Sequence, residues 1–165
     1  MKTHLLFILL TCLSCQWAFA GSIPNREFRA TWFATVENID WPKTYITNAS
    51  SRTQQQKELT DIFDKLVAGN MNAACMQVRS MCDAMYKSQY EPWSQYLTGT
   101  RGGEPTYDPL QLVIDSAHAR GMEVHAWLNP YRYASSDATF GKNDPKDYYK
   151  THPEWLVKCG DITIL

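Results

Sequence analysis

Hydrophobic and polar positions follow two different periods along the first half of the chain. Residues 28–36 and 73–79 are rich in apolar, aromatic and β-branched side chains, which is typical of buried strands. Between them lies an apolar stripe with the spacing of one helix face, formed by Leu59, Ile62, Phe63, Leu66 and Val67. A capping box over residues 51–54 is expected to start this helix, and Gly69 is expected to end it.

A second helix and a third strand follow a long polar connection over residues 80–107. Asp108 is a favourable N-cap, Pro109 occupies the favoured first helical position, and Gly121 is expected to end the helix. Residues 123–129 then form the third predicted strand. Both helix-to-strand turns are short, whereas the connections that follow the strands are long. Beyond this strand the sequence predicts loop, with a short helix near residues 145–151.

The resulting order, β-α-β-α-β, predicts parallel strands connected by helices. Long loops after the strands and short turns before them are typical of a (β/α)8 TIM barrel, whose long loops line the active face. A dinucleotide-binding α/β fold is less favoured, because no Gly-rich phosphate turn follows the first strand. We therefore predict an α/β fold containing roughly the first three β/α units of a TIM barrel. Since a complete barrel needs about 250 residues, we expect the N-terminal part of a longer protein.

The first residues are typical of a secretory signal peptide. The apolar run Leu5–Leu10 is too short to cross a membrane, and Ala18-Phe19-Ala20 is a small-x-small cleavage pattern. We predict a signal peptide over residues 1–20, followed by the barrel segment over residues 21–165. Export to the periplasm or the cell surface follows from this prediction.

Composition and charge restrict the expected partners. The chain is 44% hydrophobic and 20% charged, as in ordinary globular proteins, and its net charge of −1 gives no reason to expect nucleic acid binding. Membrane attachment is expected only if Cys12 or Cys15 carries a lipid. The other cysteines, Cys75, Cys82 and Cys159, are odd in number, which leaves a free thiol or an intermolecular disulfide. Their spacing matches no zinc site, and no metal or cofactor is predicted.

Polar side chains collect at the predicted carboxyl ends of the second and third strands. Arg79 ends the second strand, and His125, Trp127 and Asn129 share one face of the third. Because sites in parallel α/β proteins lie at the carboxyl ends of strands, these residues predict a site for a polar, ring-shaped ligand. A purely structural role for Arg79 and His125 stays open, because a buried charge needs a partner whatever its function.

Two carboxylates lie in the predicted loops. Asp83 follows Arg79, and a carboxylate beside an arginine stays ionised, which suits orienting a hydroxyl and does not suit a general acid. A structural salt bridge in the loop explains Asp83 equally well. For Asp40, after the first strand, we favour a role in structuring its own loop.

Aromatic residues are frequent in and after the three strands. Their flat apolar faces suit sugar rings, although each one alone is more often a packing residue. The predicted cluster consists of Trp32, Trp41, Tyr86, Trp93, Tyr96, Trp127, Tyr131 and Tyr133. The spread of these residues over all three long loops and strand ends indicates a carbohydrate site.

Several segments together resemble the glycosyl-hydrolase-like family 10 proteins. These segments are Arg29–Trp32, Asn38–Pro42, Gln77–Arg79, Asp83–Tyr86, Glu91–Ser94, Asp108–Leu110 and Gly121–Arg132. Members are exported bacterial proteins with a (β/α)8 barrel and are regarded as glycoside hydrolases, with cell-wall glycan as a substrate for some. The resemblance implies a substrate cleft lined by Arg79, Asp83, His125, Asn129 and Arg132.

The leading hypothesis is the N-terminal part of an exported glycoside hydrolase that acts on a polysaccharide by carboxylate acid/base chemistry. The main catalytic carboxylates are expected beyond Leu165, with Asp83 as the candidate within the chain, and this segment alone is expected to be inactive. The predicted substrate-binding residues are Trp32, Arg79, Asp83, Tyr86, Trp93, His125, Trp127, Asn129, Tyr131 and Arg132. One alternative is a non-catalytic glycan-binding protein with the same cleft. A less favoured third is a metal-dependent deacetylase with His125 and Asp83 as ligands.

Overall fold

The computed structural model describes residues 27–134, 144–160 and 162–164. The expected signal peptide over residues 1–20, with Cys12 and Cys15, lies outside the described residues. Within the described ranges, no helix combines the length and the hydropathy needed to cross a bilayer.

The first part of the described chain alternates strands and helices. Its elements are β1 (Ala30–Phe33), a 3₁₀ turn (Val36–Asn38), α1 (Ala49–Ala68), β2 (Ala73–Arg79), α2 (Gln95–Thr98), α3 (Pro109–His118) and β3 (Glu123–Leu128). The later elements are shorter. They are β4 (Arg132–Ala134), α4 (Tyr148–Thr151), a second 3₁₀ turn (Pro153–Trp155), β5 (Val157–Cys159) and β6 (Ile162–Ile164).

The three longer strands form one parallel sheet in the order β1-β2-β3. This confirms the predicted α/β class and the predicted parallel pairing of the strands. One face of β2 carries Ala74, Met76 and Val78 into the main hydrophobic core. Leu59 of α1 and Val113 of α3 cover this face from the helix side. Each fully buried large apolar side chain contributes about 1.5–3 kcal/mol, so this layer accounts for the stable attachment of both helices.

The N-cap of helix α1 lies three residues before the predicted one. Asn48 is the N-cap, and its side-chain oxygen accepts a hydrogen bond from the backbone N–H of Ser51. The Ser51 hydroxyl in turn accepts a hydrogen bond from the backbone N–H of Asn48. Ser51 therefore occupies the third helical position, because Asn48 has the extended backbone that an N-cap requires.

A second sheet lies in the region that the sequence predicts as loop. It is antiparallel, with the strand order β4-β6-β5. Each of its strands has three residues, which is too short for a period of two to emerge from the sequence. The short helix predicted near residues 145–151 is present as α4.

Candidate functional site

The second face of the parallel sheet carries residues from all three strands. Trp32, Cys75 and His125 lie side by side in register, and Gln77 pairs with Trp127 further along. Cys75 is buried as a free thiol, and burial raises its pKa above the ordinary value.

His125 lies in the amino-terminal half of β3. It pairs with Cys75, whereas Arg79 pairs with Leu128, roughly 10 Å further along the strand at about 3.3 Å per residue. The His125 ring meets Phe28 edge to face at 5.1 Å, and its Nε2 atom is 3.4 Å from a carboxylate oxygen of Glu123. The structure therefore separates His125 from the polar groups at the carboxyl end of the sheet, and its contact with substrate stays a prediction.

Trp32 and Trp127 form a pair of aromatic rings on this same face. Their ring centroids are 5.4 Å apart and the planes are tilted by 38°. The Trp127 indole N–H donates to the side-chain oxygen of Asn129 at 2.9 Å, which fixes its ring. Trp32 is 67% exposed, so the pair offers an apolar surface to a ligand. We call these two residues the tryptophan pair.

Arg79 is held at the end of β2 by four hydrogen bonds and ion-pair contacts. Its guanidinium contacts Glu91 Oε1 at 2.6 Å through both Nε and Nη2. Its Nη1 atom donates to the backbone oxygens of Asn129 at 2.5 Å and Pro130 at 3.0 Å. With a side chain only 11% exposed, Arg79 joins the loop after β2 to the chain after β3, which supports the structural role that the sequence left open.

Asn129 completes this connection between the two loops. Its side-chain nitrogen donates to the backbone oxygen of Ser80 at 3.1 Å, while its side-chain oxygen accepts from Trp127. Its backbone N–H donates to the oxygen of Arg79. Asn129 therefore positions one member of the tryptophan pair relative to the loop that follows β2.

Asp83 structures the first turn of that loop. One carboxylate oxygen accepts hydrogen bonds from the backbone N–H groups of Ser80 at 2.9 Å and Met81 at 2.8 Å. The Ser80 hydroxyl also donates to it, and the side chain is almost completely buried. The expected pairing with Arg79 is wrong, because Glu91 takes that place. A contact between Asp83 and substrate stays a prediction.

The positions of Asp83 and His125 do not support the alternative of a metal-dependent deacetylase. Asp83 is buried in its turn, and the His125 side chain is 47% exposed on the second face of the sheet. Across residues 27–134, 144–160 and 162–164, no group of three or more His, Cys, Asp and Glu side chains is arranged to hold a metal ion.

The predicted aromatic cluster divides into buried and accessible members. Trp41, Tyr96 and Tyr133 are buried, so their expected place at an open mouth is wrong. Trp41 belongs to the core, where its indole N–H donates to the backbone oxygen of Gln55. Asp40 accepts a hydrogen bond from the backbone N–H of Ala34, which confirms its role in structuring the loop.

The remaining predicted binding residues differ in exposure. Tyr86 and Trp93 are half-buried against the core, and burial, with a contribution from Glu91, raises the pKa of Tyr86. Tyr131 is 70% exposed and Arg132 is also exposed, directly after β3. Tyr131 and Arg132 are therefore accessible to a ligand, as is the tryptophan pair.

A buried cluster that the sequence does not predict fastens the loop after β2 to the later chain. Arg101 Nε donates to Asp147 Oδ2 at 2.6 Å, and its other nitrogens donate to the backbone oxygens of Met81 and Cys82. The Tyr133 hydroxyl donates to the second Asp147 oxygen. The Arg101 guanidinium also lies 5.4 Å from the centroid of the Tyr133 ring. No local pattern marks Arg101 or Asp147, because their partners are distant in sequence.

Taken together, the accessible groups on this face of the sheet and directly after β3 are rings and polar side chains, and the carboxylates of Glu91 and Asp83 are engaged. Glu91 is paired with Arg79, and Asp83 is paired with backbone N–H groups. The arrangement is suited to binding and orienting a ring-shaped ligand with polar substituents.

Comparison with known proteins gives consistent matches. The family described as Glycosyl hydrolase-like 10 matches residues 27–165. The chain is 39% identical over 142 residues to Glycosyl hydrolase YngK of Bacillus subtilis (strain 168), covering 86% of this chain and 27% of that protein. It is 36% identical over 166 residues to Glycosyl hydrolase DigH of Escherichia coli (strain K12), covering 88% of this chain and 38% of that protein. The chain thus spans well under half the length of either relative.

Proposed function

The chain belongs to the glycosyl hydrolase-like 10 family, and from this membership we propose that it is the N-terminal part of an exported glycoside hydrolase acting on a polysaccharide. The tryptophan pair is the observation that carries the proposal. An exposed ring beside a half-buried one offers the flat apolar surface on which the C–H face of a sugar packs. The polar groups of Asn129 and Arg132 lie next along the chain.

We propose a (β/α)8 barrel for the whole protein. Three parallel strands, with long loops after β1 and β2, support it, as does the resemblance to the family. In such a barrel the tryptophan pair faces the interior, and Trp127 lies nearer the active end than Trp32, which is in register with Cys75. The loops held by Arg79 and Arg101 then form one wall of the cleft.

The proposed chemistry is hydrolysis by two carboxylates, one of which protonates the leaving oxygen. Glu91 and Asp83 are poor candidates for the acid, because Arg79 holds the Glu91 carboxylate and backbone N–H groups hold that of Asp83. We therefore assign the acid and base to strand ends outside this chain. The residues described here bind the glycan and orient it.

Cell-wall glycan is the first candidate substrate, and the periplasm or cell surface is the proposed location. The signal-peptide pattern over residues 1–20 supports export, and the family resemblance supports the glycan. A non-catalytic glycan-binding protein is the second candidate. It is favoured by one observation, that the carboxylates of Glu91 and Asp83 are already engaged.

The test is the release of new reducing ends when the whole protein is incubated with purified cell-wall glycan. Trp32→Ala should lower this rate several-fold, whereas Tyr45→Ala, an exposed aromatic outside the predicted binding set, should leave it unchanged. Glycan binding without cleavage would favour the second candidate. If the protein neither binds nor cleaves any polysaccharide tested, both candidate functions are contradicted.

A further inference from the structure

A groove separates the loop after β2 from helix α4 and the 3₁₀ turn that follows it. Its volume is about 350 Å³, at the lower end of the range of small-molecule sites. Tyr90 lines one side, and Tyr148, His152 and Trp155 line the other. None of these four residues belongs to the predicted binding set or to the tryptophan pair.

Aromatic rings dominate the groove. His152 and Trp155 are stacked, with centroids 3.6 Å apart and planes within 4° of parallel. Tyr148 lies against Trp155 at 5.8 Å, which holds the stack in place. Tyr90 is 76% exposed and Trp155 is 49% exposed, so large parts of both rings face solvent. Accessible rings on two sides of a groove suit a flat ligand that is partly apolar.

The charge of the residues that line the groove restricts the class of ligand further. Lys146 is the lining residue with a permanent charge, and it is solvent-exposed. Its ammonium group donates to the backbone oxygen of Ser88 at 2.7 Å, which uses one of its three N–H donors. Within the described residues no acceptor contacts its two other donors, which can bind an anionic or hydroxyl oxygen in the groove.

The groove adjoins the end of the parallel sheet. The Tyr148 hydroxyl donates to Glu91 Oε1 at 3.3 Å, and the same oxygen binds Arg79 at the end of β2. Tyr148 therefore lines the groove and also contacts the ion pair that joins the two loops.

We propose that the groove between Tyr90 and Trp155 is an outer subsite that binds one carboxylate-bearing sugar ring of a glycan. The ring packs against Tyr90 and the stack of His152 and Trp155, and its carboxylate binds Lys146. The subsite rests on the proposed function in one respect, that the ligand is a glycan. It extends the binding surface beyond the residues that the family resemblance implies.

The test uses the whole protein and acidic oligosaccharides prepared from cell-wall glycan, with the same oligosaccharides after reduction of their carboxyl groups to alcohols as the neutral probe. Binding is followed by stopped-flow fluorescence before turnover. Tyr90→Ala should weaken binding of the acidic probe about tenfold, and Tyr90→Trp should retain it. Tyr149→Ala is the matched control, because Tyr149 lies on α4 and does not line the groove.

The Lys146→Gln variant tests the contribution of charge to binding separately from that of ring stacking. It should weaken binding of the acidic probe about fivefold and leave binding of the neutral probe unchanged. Wild-type affinity in Tyr90→Ala, or equal affinity of the wild-type protein for both probes, would overturn the proposal. Cleavage of glycan with unaltered binding in Tyr90→Ala would reject the subsite and leave the hydrolase standing. Tyr90-dependent binding with no cleavage would support the subsite and contradict the hydrolase.

Discussion

Arg101 and Asp147 form a buried ion pair, with Arg101 Nε donating to Asp147 Oδ2 at 2.6 Å. The pair connects two segments that lie 46 residues apart in the chain. Because Arg101 also holds the backbone oxygens of Met81 and Cys82, the loop after β2 and the region around α4 behave as one unit. The wall of the proposed cleft therefore rests on a buried ion pair, with the Arg101 side chain 6% exposed and that of Asp147 fully buried.

Asp147→Asn should destabilise the whole protein by about 3–5 kcal/mol, because it leaves the buried Arg101 charge uncompensated. The measurement is the free energy of unfolding in urea. Asp61→Asn is the matched control, since its partner Lys57 and Asp61 itself are exposed and their pair contributes less than about 1 kcal/mol. Equal losses in the two variants would contradict the structural role of Arg101.

Arg79→Ala is expected to reduce both turnover and stability. The sequence alone predicts loss of turnover with the fold largely intact, but the contacts of Arg79 with Glu91, Asn129 and Pro130 add a loss of about 2–4 kcal/mol. A double-mutant cycle with Glu91→Gln measures the coupling through the free energy of unfolding. Additive losses would show that the ion pair contributes nothing to stability.

Trp32→Ala and Phe33→Ala compare neighbouring aromatic residues with opposite environments. Trp32 is exposed, so its removal should change the unfolding free energy by less than about 0.5 kcal/mol and raise the KM for glycan. Phe33 is in the core, where its removal should lower stability by about 3–5 kcal/mol. Thermal unfolding and glycan kinetics on both variants check this contrast. An unchanged KM in Trp32→Ala would remove the tryptophan pair from the proposed site.

Alkaline solution should destabilise the protein through Cys82. Burial raises the pKa of this thiol from its ordinary value of 9.0 to about 12. Between these values the unfolded chain loses the proton and the folded chain keeps it, so the free energy of unfolding should fall as pH rises from about 9 to 12, by a few kcal/mol. Burial and Asp147 also raise the pKa of Tyr133, which extends the fall above pH 10.

Unfolding experiments at several pH values, compared between wild type and Cys82→Ala, measure this contribution. The variant should show a shallower fall. Met81→Ala is the control, because the neighbouring side chain is also buried but does not titrate. An identical pH slope in wild type and Cys82→Ala would contradict the prediction.

The chain produced by itself, from residue 21 to 165, should self-associate. Trp32 and Leu128 expose apolar side chains on opposite faces of the sheet, and β3 is an edge strand among the described strands. Unpaired edges and exposed apolar faces promote association between chains. Light scattering during size-exclusion chromatography tests this, and a soluble monomer with a sharp, cooperative melt would show it to be wrong.

The local features of the fold could be predicted from the sequence. Strand β2 has the predicted bounds, and α3 starts at Pro109 after the Asp108 cap, because strand composition and capping act over a few residues. The choice of ionic partners could not be predicted in this way. Arg79 forms its ion pair with Glu91 and not with Asp83, which is nearer in sequence, and Arg101 forms one with Asp147. Tertiary packing brings the two members of each pair together.

The distance in sequence between Arg101 and Asp147 has a consequence for folding during synthesis. The contacts between α1 and the strands that flank it need only the first part of the chain, and β3 joins the sheet with residues 123–128. Arg101, in the loop after β2, can form its ion pair only after Asp147 has left the ribosome. The wall of the cleft is therefore expected to be the last part of this segment to become ordered, after its sheet is already formed.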